Sequence, residues 1–138
     1  MKTVLITGSN RGIGLEFAKQ YSKDGWSVLA CCRNPELALE LKKIKSKNIE
    51  IVKLDLNEID EIIKLRSQFK NRSLDILINN AGIAGTEDSF DTVAPETLLN
   101  TFHINTLAPT LIAQALINSL EIGLSKIIVN ISSYYGSI

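Results

Sequence analysis

The chain has 138 residues, 45% of them hydrophobic and 22% charged, with fifteen Lys and Arg balanced by fifteen Asp and Glu. This composition predicts one soluble globular domain over residues 1–138, able to bury roughly two thirds of the surface its unfolded chain exposes without a disulfide or metal staple. Zero net charge and the lack of a basic block argue against a nucleic-acid or membrane-surface role. No run approaches the ~18 apolar residues of a membrane span.

The N-terminal MKTVLITG enters a strand pattern at once, without a charged leader, apolar segment and cleavage site in that order. Cys31 and Cys32 are adjacent, which is neither a disulfide framework nor metal-ligand spacing. His103, the only histidine, has no Cys or carboxylate cluster beside it, so no metal site is expected and His103 reads as structural. These features suggest a reducing, cytoplasmic location.

Apolar runs at residues 3–7 (TVLIT), 28–31 (VLAC), 49–54 (IEIVKL), 76–78 (ILI) and 126–131 (KIIVNI) are mostly continuous. Continuous runs predict strands covered on both faces, as in a parallel sheet. Helical spacing lies between them. Ile13, Phe17 and Tyr21 repeat at i, i+4, i+8 and stop at Asp24-Gly25. Leu37, Leu41 and Ile44 follow Asn34-Pro35, where Asn can cap and Pro can open a helix. The Lys-rich end of that stretch, residues 41–47, reads as a solvated helix end. Ile59, Ile62, Ile63 and Phe69 mark a third helix, and residues 107–120 a fourth, apolar on more than one face. Residues 84–95 form the one sizeable loop. The order β-α-β-α-β-α-β-α-β predicts a doubly wound α/β sheet.

Directly after the first run stand Thr7-Gly8-Ser9-Asn10-Arg11-Gly12-Ile13-Gly14. Glycine at 8 permits a tight turn, at 12 a close backbone approach to a pyrophosphate, and at 14 close packing of the helix. A helix opening here aims free N–H donors and its positive dipole end at an anion, worth ~0.3–1 kcal/mol and up to ~2 when partly buried.

The spacing Thr-Gly-x-x-x-Gly-x-Gly resembles the short-chain dehydrogenase/reductase family. Asp55 and Leu56 in KLDLN resemble that family's adenine-binding segment, and Asn79-Asn80-Ala81-Gly82 resembles the block that braces the sheet and lies along the adenine ribose. Ile131-Ser132-Ser133 is similar to the segment carrying the catalytic serine, in the register of Ser133; Asn105 matches the asparagine that positions a water in the proton relay. Cys32-Arg33-Asn34-Pro35 and residues 79–85 (NNAGIAG) are most similar to the branch of small carbonyl reductases that includes sniffer and C-factor. The resemblance implies a Rossmann-type sheet of five strands in the order 3-2-1-4-5. The implied cofactor-binding set is Gly8, Ser9, Asn10, Arg11, Gly12, Ile13, Gly14, Arg33, Asp55, Leu56, Asn80, Ala81 and Gly82. Hydride transfer between NAD(P) and a small carbonyl or alcohol is the implied chemistry.

Charge bears on the choice of cofactor. An NAD site places an acid about twenty residues past the glycine loop to bind the ribose 2′-OH. Here Cys32 and Arg33 stand there, with no acid before Glu36, and Arg11 adds a second cation. One charge-assisted hydrogen bond contributes ~1.5–3 kcal/mol, so NADP(H) is expected over NAD(H).

The family's Tyr-x-x-x-Lys, in which Tyr donates the proton and Lys lowers its pKa, is not found in these residues. Tyr134 and Tyr135 abut Ser133, and position 138 is Ile. The expectation is therefore a domain incomplete at its C-terminus, with activity largely lost. A non-catalytic NADP(H)-binding module and a remnant without function are the alternatives. A fifth strand left as an edge, together with the apolar 107–120 helix, predicts a homo-oligomer.

Overall fold

A computed structural model of the chain describes residues 1–44, 46–85 and 91–133. Strands β1 (Thr3–Thr7), β2 (Ser27–Cys32), β3 (Ile49–Lys53), β4 (Ile76–Asn79) and β5 (Ile127–Asn130) form one parallel sheet in the order β3-β2-β1-β4-β5. Helices α1 (Gly12–Lys23), α2 (Leu39–Lys42), α3 (Ile59–Gln68), α4 (Pro95–Phe102) and α5 (Ala108–Ile122) alternate with them. The expected Rossmann-type topology is present.

Side chains alternate across a strand, and the register keeps that alternation in step between neighbours. Leu5 stands level with Leu29 and Leu77, and all three pack on Leu65 of α3 and on Ile112 and Leu116 of α5. The intervening Val4, Ile6, Val28 and Ile78 pack the other way, against Leu15 and Ala18 of α1 and Leu41 of α2. Both faces of β1, β2 and β4 are thus covered, which is why those runs are continuous. Each fully buried Leu or Ile contributes roughly 1.5–3 kcal/mol.

The two outer strands are less covered and differ from each other. β3 carries Glu50 and Lys53, held by ion pairs with Arg72 and Glu61. β5 presents half-exposed Ile127 and Ile128 instead. At the base of the sheet, the 2%-exposed Asp75 accepts N–H bonds from Thr3, Leu124 and Ser125. Burial alone would raise its carboxyl pKa, but those three donors and nearby Lys2 outweigh it and hold the group below the usual carboxylate range.

Several elements depart from the sequence reading. The helix expected after Asn34-Pro35 is a 3₁₀ turn, Pro35–Leu37, followed by the four-residue α2. Asn34 makes no capping bond, and Leu37 is exposed, so the i, i+4, i+7 pattern marks no continuous stripe. β5 begins one residue later than expected because Lys126 adopts a left-handed φ of 54°. On α1 the buried residues are Gly14, Leu15, Ala18 and Ser22, and Ile13 is exposed. On α3 they are Ile62 and Leu65, with Phe69 following, while Ile59 and Ile63 are exposed. Helical structure also starts earlier than residue 107: α4 leads through a π turn, His103–Leu107, directly into α5. Part of the expected 84–95 loop lies outside the described residues.

Candidate functional site

The site lies at the C-terminal ends of the strands, where the order reverses between β1 and β4; open α/β sheets bind ligands at such points. Gly14 stands behind the β1–α1 loop: a Cβ there would lie 2.3 Å from the Gly8 carbonyl oxygen and 2.6 Å from Asn80 Nδ2. Gly12 faces the other way. Its φ is +54°, and a Cβ there would meet nothing within 4 Å, so the backbone borders open space. No side chain caps α1, which leaves its first N–H groups for an anion.

Behind the loop, the Thr7 hydroxyl oxygen accepts the N–H groups of Asn80 and Ala81, both at 3.0 Å. The Asn80 amide donates in return to the Thr7 carbonyl at 3.0 Å. Ser9 is fully buried, and its donors are spent: Oγ donates to the Ile6 carbonyl and N–H to the Cys31 carbonyl. Ser9 therefore holds the loop in place.

A cleft of about 710 Å³ opens in front of the loop, within the size range of small-molecule sites. Asn10, Arg11, Gly12 and Ile13 line one side, Cys32 and Arg33 a second, and Asp55, Leu56 and Asn80–Gly82 the rest. Arg11 and Arg33 are exposed, and neither forms a salt bridge among the described residues. The adjoining loop is knit tightly. Asp55 Oδ1 accepts from Asn57 N–H and Nδ2, Asp55 N–H donates to Glu61, and Glu61 also pairs with Lys53 at 2.6 Å. His103 Nε2–H donates to the Leu56 carbonyl at 2.9 Å.

A second, wider cleft shares Ile13 and residues 80–83 with the first, so one groove runs from Arg33 past the glycine loop to Ser133. Asn105, in the π turn, faces the β4 loop. Its Oδ1 accepts Ile83 N–H at 2.9 Å and its Nδ2 donates to the Ile83 carbonyl at 2.7 Å. Asn79 Nδ2 donates to Asn130 Oδ1 across the β4–β5 pair, and Asn79 Oδ1 is buried without a partner among the described residues. Ser133 is exposed on the wall of this cleft. Burial pushes the Cys31 and Cys32 thiols up, which makes them packing groups and not nucleophiles.

A family model described as short chain dehydrogenase matches residues 2–138. The chain belongs to the short-chain dehydrogenase family. Its fold superposes on the NADPH-bound carbonyl reductase from chicken fatty liver with a TM-score of 0.88 and 35% identity, covering 100% of this chain and 62% of that one. Carbonyl reductase Sniffer of D. melanogaster gives a TM-score of 0.88 and 33% identity, covering 100% of this chain and 64% of that one. Salutaridine reductase of Papaver bracteatum is 33% identical, over 100% of this chain and 56% of its own length. The chain thus spans a little over half to about two thirds of the length of these relatives.

For a short-chain dehydrogenase, the residues singled out from sequence mostly converge. Asn10, Arg11, Gly12, Ile13, Arg33, Asp55, Leu56, Asn80, Ala81 and Gly82 line the first cleft along with Gly8, and Ser133 and Asn105 line the second. Ser9 and Gly14 line neither; they shape the loop from behind. Sequence reasoning missed Thr7, although it opens the glycine motif, and the contacts of His103. Tyr134 and Tyr135 lie outside the described residues. Among those residues no helix is long and apolar enough to cross a membrane, and no group of three His, Cys, Asp or Glu could hold a metal.

Proposed function

We propose that this chain is the cofactor-binding part of an NADP(H)-dependent short-chain dehydrogenase of the carbonyl reductase type, acting on a small carbonyl or alcohol. One observation carries the reading: two guanidinium groups without salt-bridge partners among the described residues, Arg11 and Arg33, border the first cleft, and β2 ends in Cys32 where an NAD site would hold an acid. The relative from chicken fatty liver is NADPH-bound and supports the same choice.

The cleft fits such a cofactor, since the Gly12 backbone borders open space and α1 is uncapped. Gly8, Asn10 and Gly12–Gly14 shape and bind the pyrophosphate, with Ser9 bracing the loop. Arg11 and Arg33 take the 2′-phosphate, Asp55 and Leu56 the adenine, and Asn80–Gly82 the ribose. Bound NADPH supplies a hydride to a carbonyl carbon. Ser133 donates a hydrogen bond to the carbonyl oxygen. Asn105, its amide engaged at both ends by Ile83, is a positioning residue for the β4 loop.

No Tyr-x-x-x-Lys occurs in the 138 residues. Losing a positioned general acid costs roughly a hundredfold to ten-thousandfold, so these residues alone are expected to bind cofactor and turn over near background. An in-frame Tyr-x-x-x-Lys downstream in the coding sequence decides for the enzyme.

The unpaired thiols on β2 suit a reducing compartment, and the cytoplasm is the proposed location. The exposed apolar residues of β5 and α5 are proposed to join copies of the chain. The functional reading is tested by titrating the purified chain with NADPH and NADH. Tighter NADPH binding by tenfold or more, reduced in Arg33→Ala, supports it; equal binding of the two, or an unchanged preference in Arg33→Ala, overturns it.

A further inference from the structure

We infer that His103 is a positioning residue for the adenine end of the cleft, and that the π turn carrying it clamps both cofactor loops at once. The inference rests on the cofactor reading above and adds a residue to it.

Three consecutive side chains of the π turn do three different things. His103 Nε2–H donates to the Leu56 carbonyl, on the loop that follows β3. Ile104 is buried in the core and lines the first cleft. Asn105 bonds both the N–H and the carbonyl of Ile83, on the loop that follows β4. Helical residues two apart do not share a face, so the two polar anchors reach toward separate loops while Ile104 seats the turn between them. π turns inside α-helices recur at functional sites, and here the turn falls at the point where the helix meets both walls of the groove.

The Leu56 contact has a specific consequence. The neighbours of Leu56 are fixed from within their own loop or from the adjoining β2 and α3, through Leu54 N–H to Cys32, Asp55 N–H to Glu61, and Asn57 N–H to Asp55. Leu56 is the cleft-lining residue of that loop whose carbonyl is held by a side chain 47 residues away in sequence, on the π turn. A carbonyl only accepts, so the contact requires the proton on Nε2. Losing it frees the peptide that follows Leu56 and loosens the surface against which an adenine ring rests, with no direct contact between His103 and the ligand.

The test uses the full chain and adenosine 2′,5′-bisphosphate, which carries the adenine and the 2′-phosphate without the nicotinamide. His103→Leu removes the donor at similar bulk, and His103→Gln restores an N–H donor. Titration calorimetry is expected to show affinity falling roughly three- to tenfold in His103→Leu, within the range of one net hydrogen bond, and returning to within about twofold in His103→Gln. A change below about twofold in His103→Leu, or equal losses in both variants, overturns the inference while leaving the cofactor reading intact. If the parent chain binds neither the bisphosphate nor NADPH, the cofactor reading fails and this inference falls with it. An independent measurement needs no variant: long-range ¹⁵N–¹H spectra of the parent chain should show the His103 proton on Nε2, and a bare Nε2 would overturn the inference.

Discussion

Thr7 and Asn80 bind each other in both directions across the β1–β4 boundary: the Thr7 hydroxyl accepts the Asn80 N–H at 3.0 Å, and the Asn80 amide donates to the Thr7 carbonyl at 3.0 Å. The same hydroxyl accepts the Ala81 N–H. One side chain at the end of the first strand thereby sets the separation of the two loops that wall the cleft. Thr7→Val keeps the shape and removes the acceptor from two backbone donors. Since an unsatisfied buried donor costs about 1–3 kcal/mol, urea denaturation should show a loss of about 2 kcal/mol or more, and Thr7→Ser should lose less than about 1.

Gly14→Ala is a second local test. The added carbon would lie 2.3 Å from the Gly8 carbonyl oxygen and 2.6 Å from Asn80 Nδ2. Backbone on one side and an amide hydrogen-bonded to the Thr7 carbonyl on the other leave little room to give. Overpacking of this kind typically costs about 1–3 kcal/mol. The variant should lose stability in that range and bind NADPH at least tenfold more weakly by calorimetry, because the displaced atoms belong to the phosphate-facing loop.

Much of this arrangement was legible in the chain itself. The alternation of strands and helices followed from continuous apolar runs between helical ones, the strand order from the resemblance to short-chain dehydrogenases, and the glycine loop from the spacing of Gly8, Gly12 and Gly14. What escaped were interactions between distant residues. His103 read as a structural histidine because the carbonyl it meets belongs to Leu56, 47 positions away. Ser9 stands in the implied cofactor-binding set by its motif position, and that its donors go to the Ile6 and Cys31 carbonyls is not visible there. The helix after Asn34-Pro35 was over-extended because a periodic pattern does not reveal that Leu37 is exposed beside the cleft. Asn105 is expected to position a water, and the grip of its side-chain amide on Ile83, 22 positions away, is not visible in the local sequence.

Asp75 predicts an acid limb in stability. Its folded pKa lies below the unfolded value of about 3.9, so its contribution is complete above that pH and is lost as pH falls through the folded pKa. Thermal melts from pH 7 to pH 2 should show the contribution declining below about pH 4. In Asp75→Asn an amide hydrogen faces donors from Thr3, Leu124 or Ser125, so the variant should be less stable at pH 7 and its acid limb shallower. Equal acid limbs in both proteins would assign the effect to other carboxylates.

The proposed self-association can be checked on β5. Ile127 and Ile128 are 44% and 42% exposed on a strand that, among the described residues, is paired on one side only, and Ile117 of α5, 45% exposed, lines the second cleft with Ile128. Apolar edges of this kind recruit partners. Sedimentation of the parent chain at micromolar concentration should show a dimer or larger species, and Ile128→Lys should shift it toward monomer. A clean parent monomer would remove this part of the account.

The central claim is that the cleft between the glycine loop, Arg33 and Leu56 holds NADP(H). The most direct measurement is a ¹⁵N–¹H correlation spectrum of the labelled chain titrated with NADPH. The account predicts the largest shifts at the amides of Gly12, Ile13, Arg33, Leu56 and Ala81, with little change at Ile62 and Leu65 on α3. Shifts confined to α5 and β5, or no saturable shift at millimolar NADPH, would contradict it.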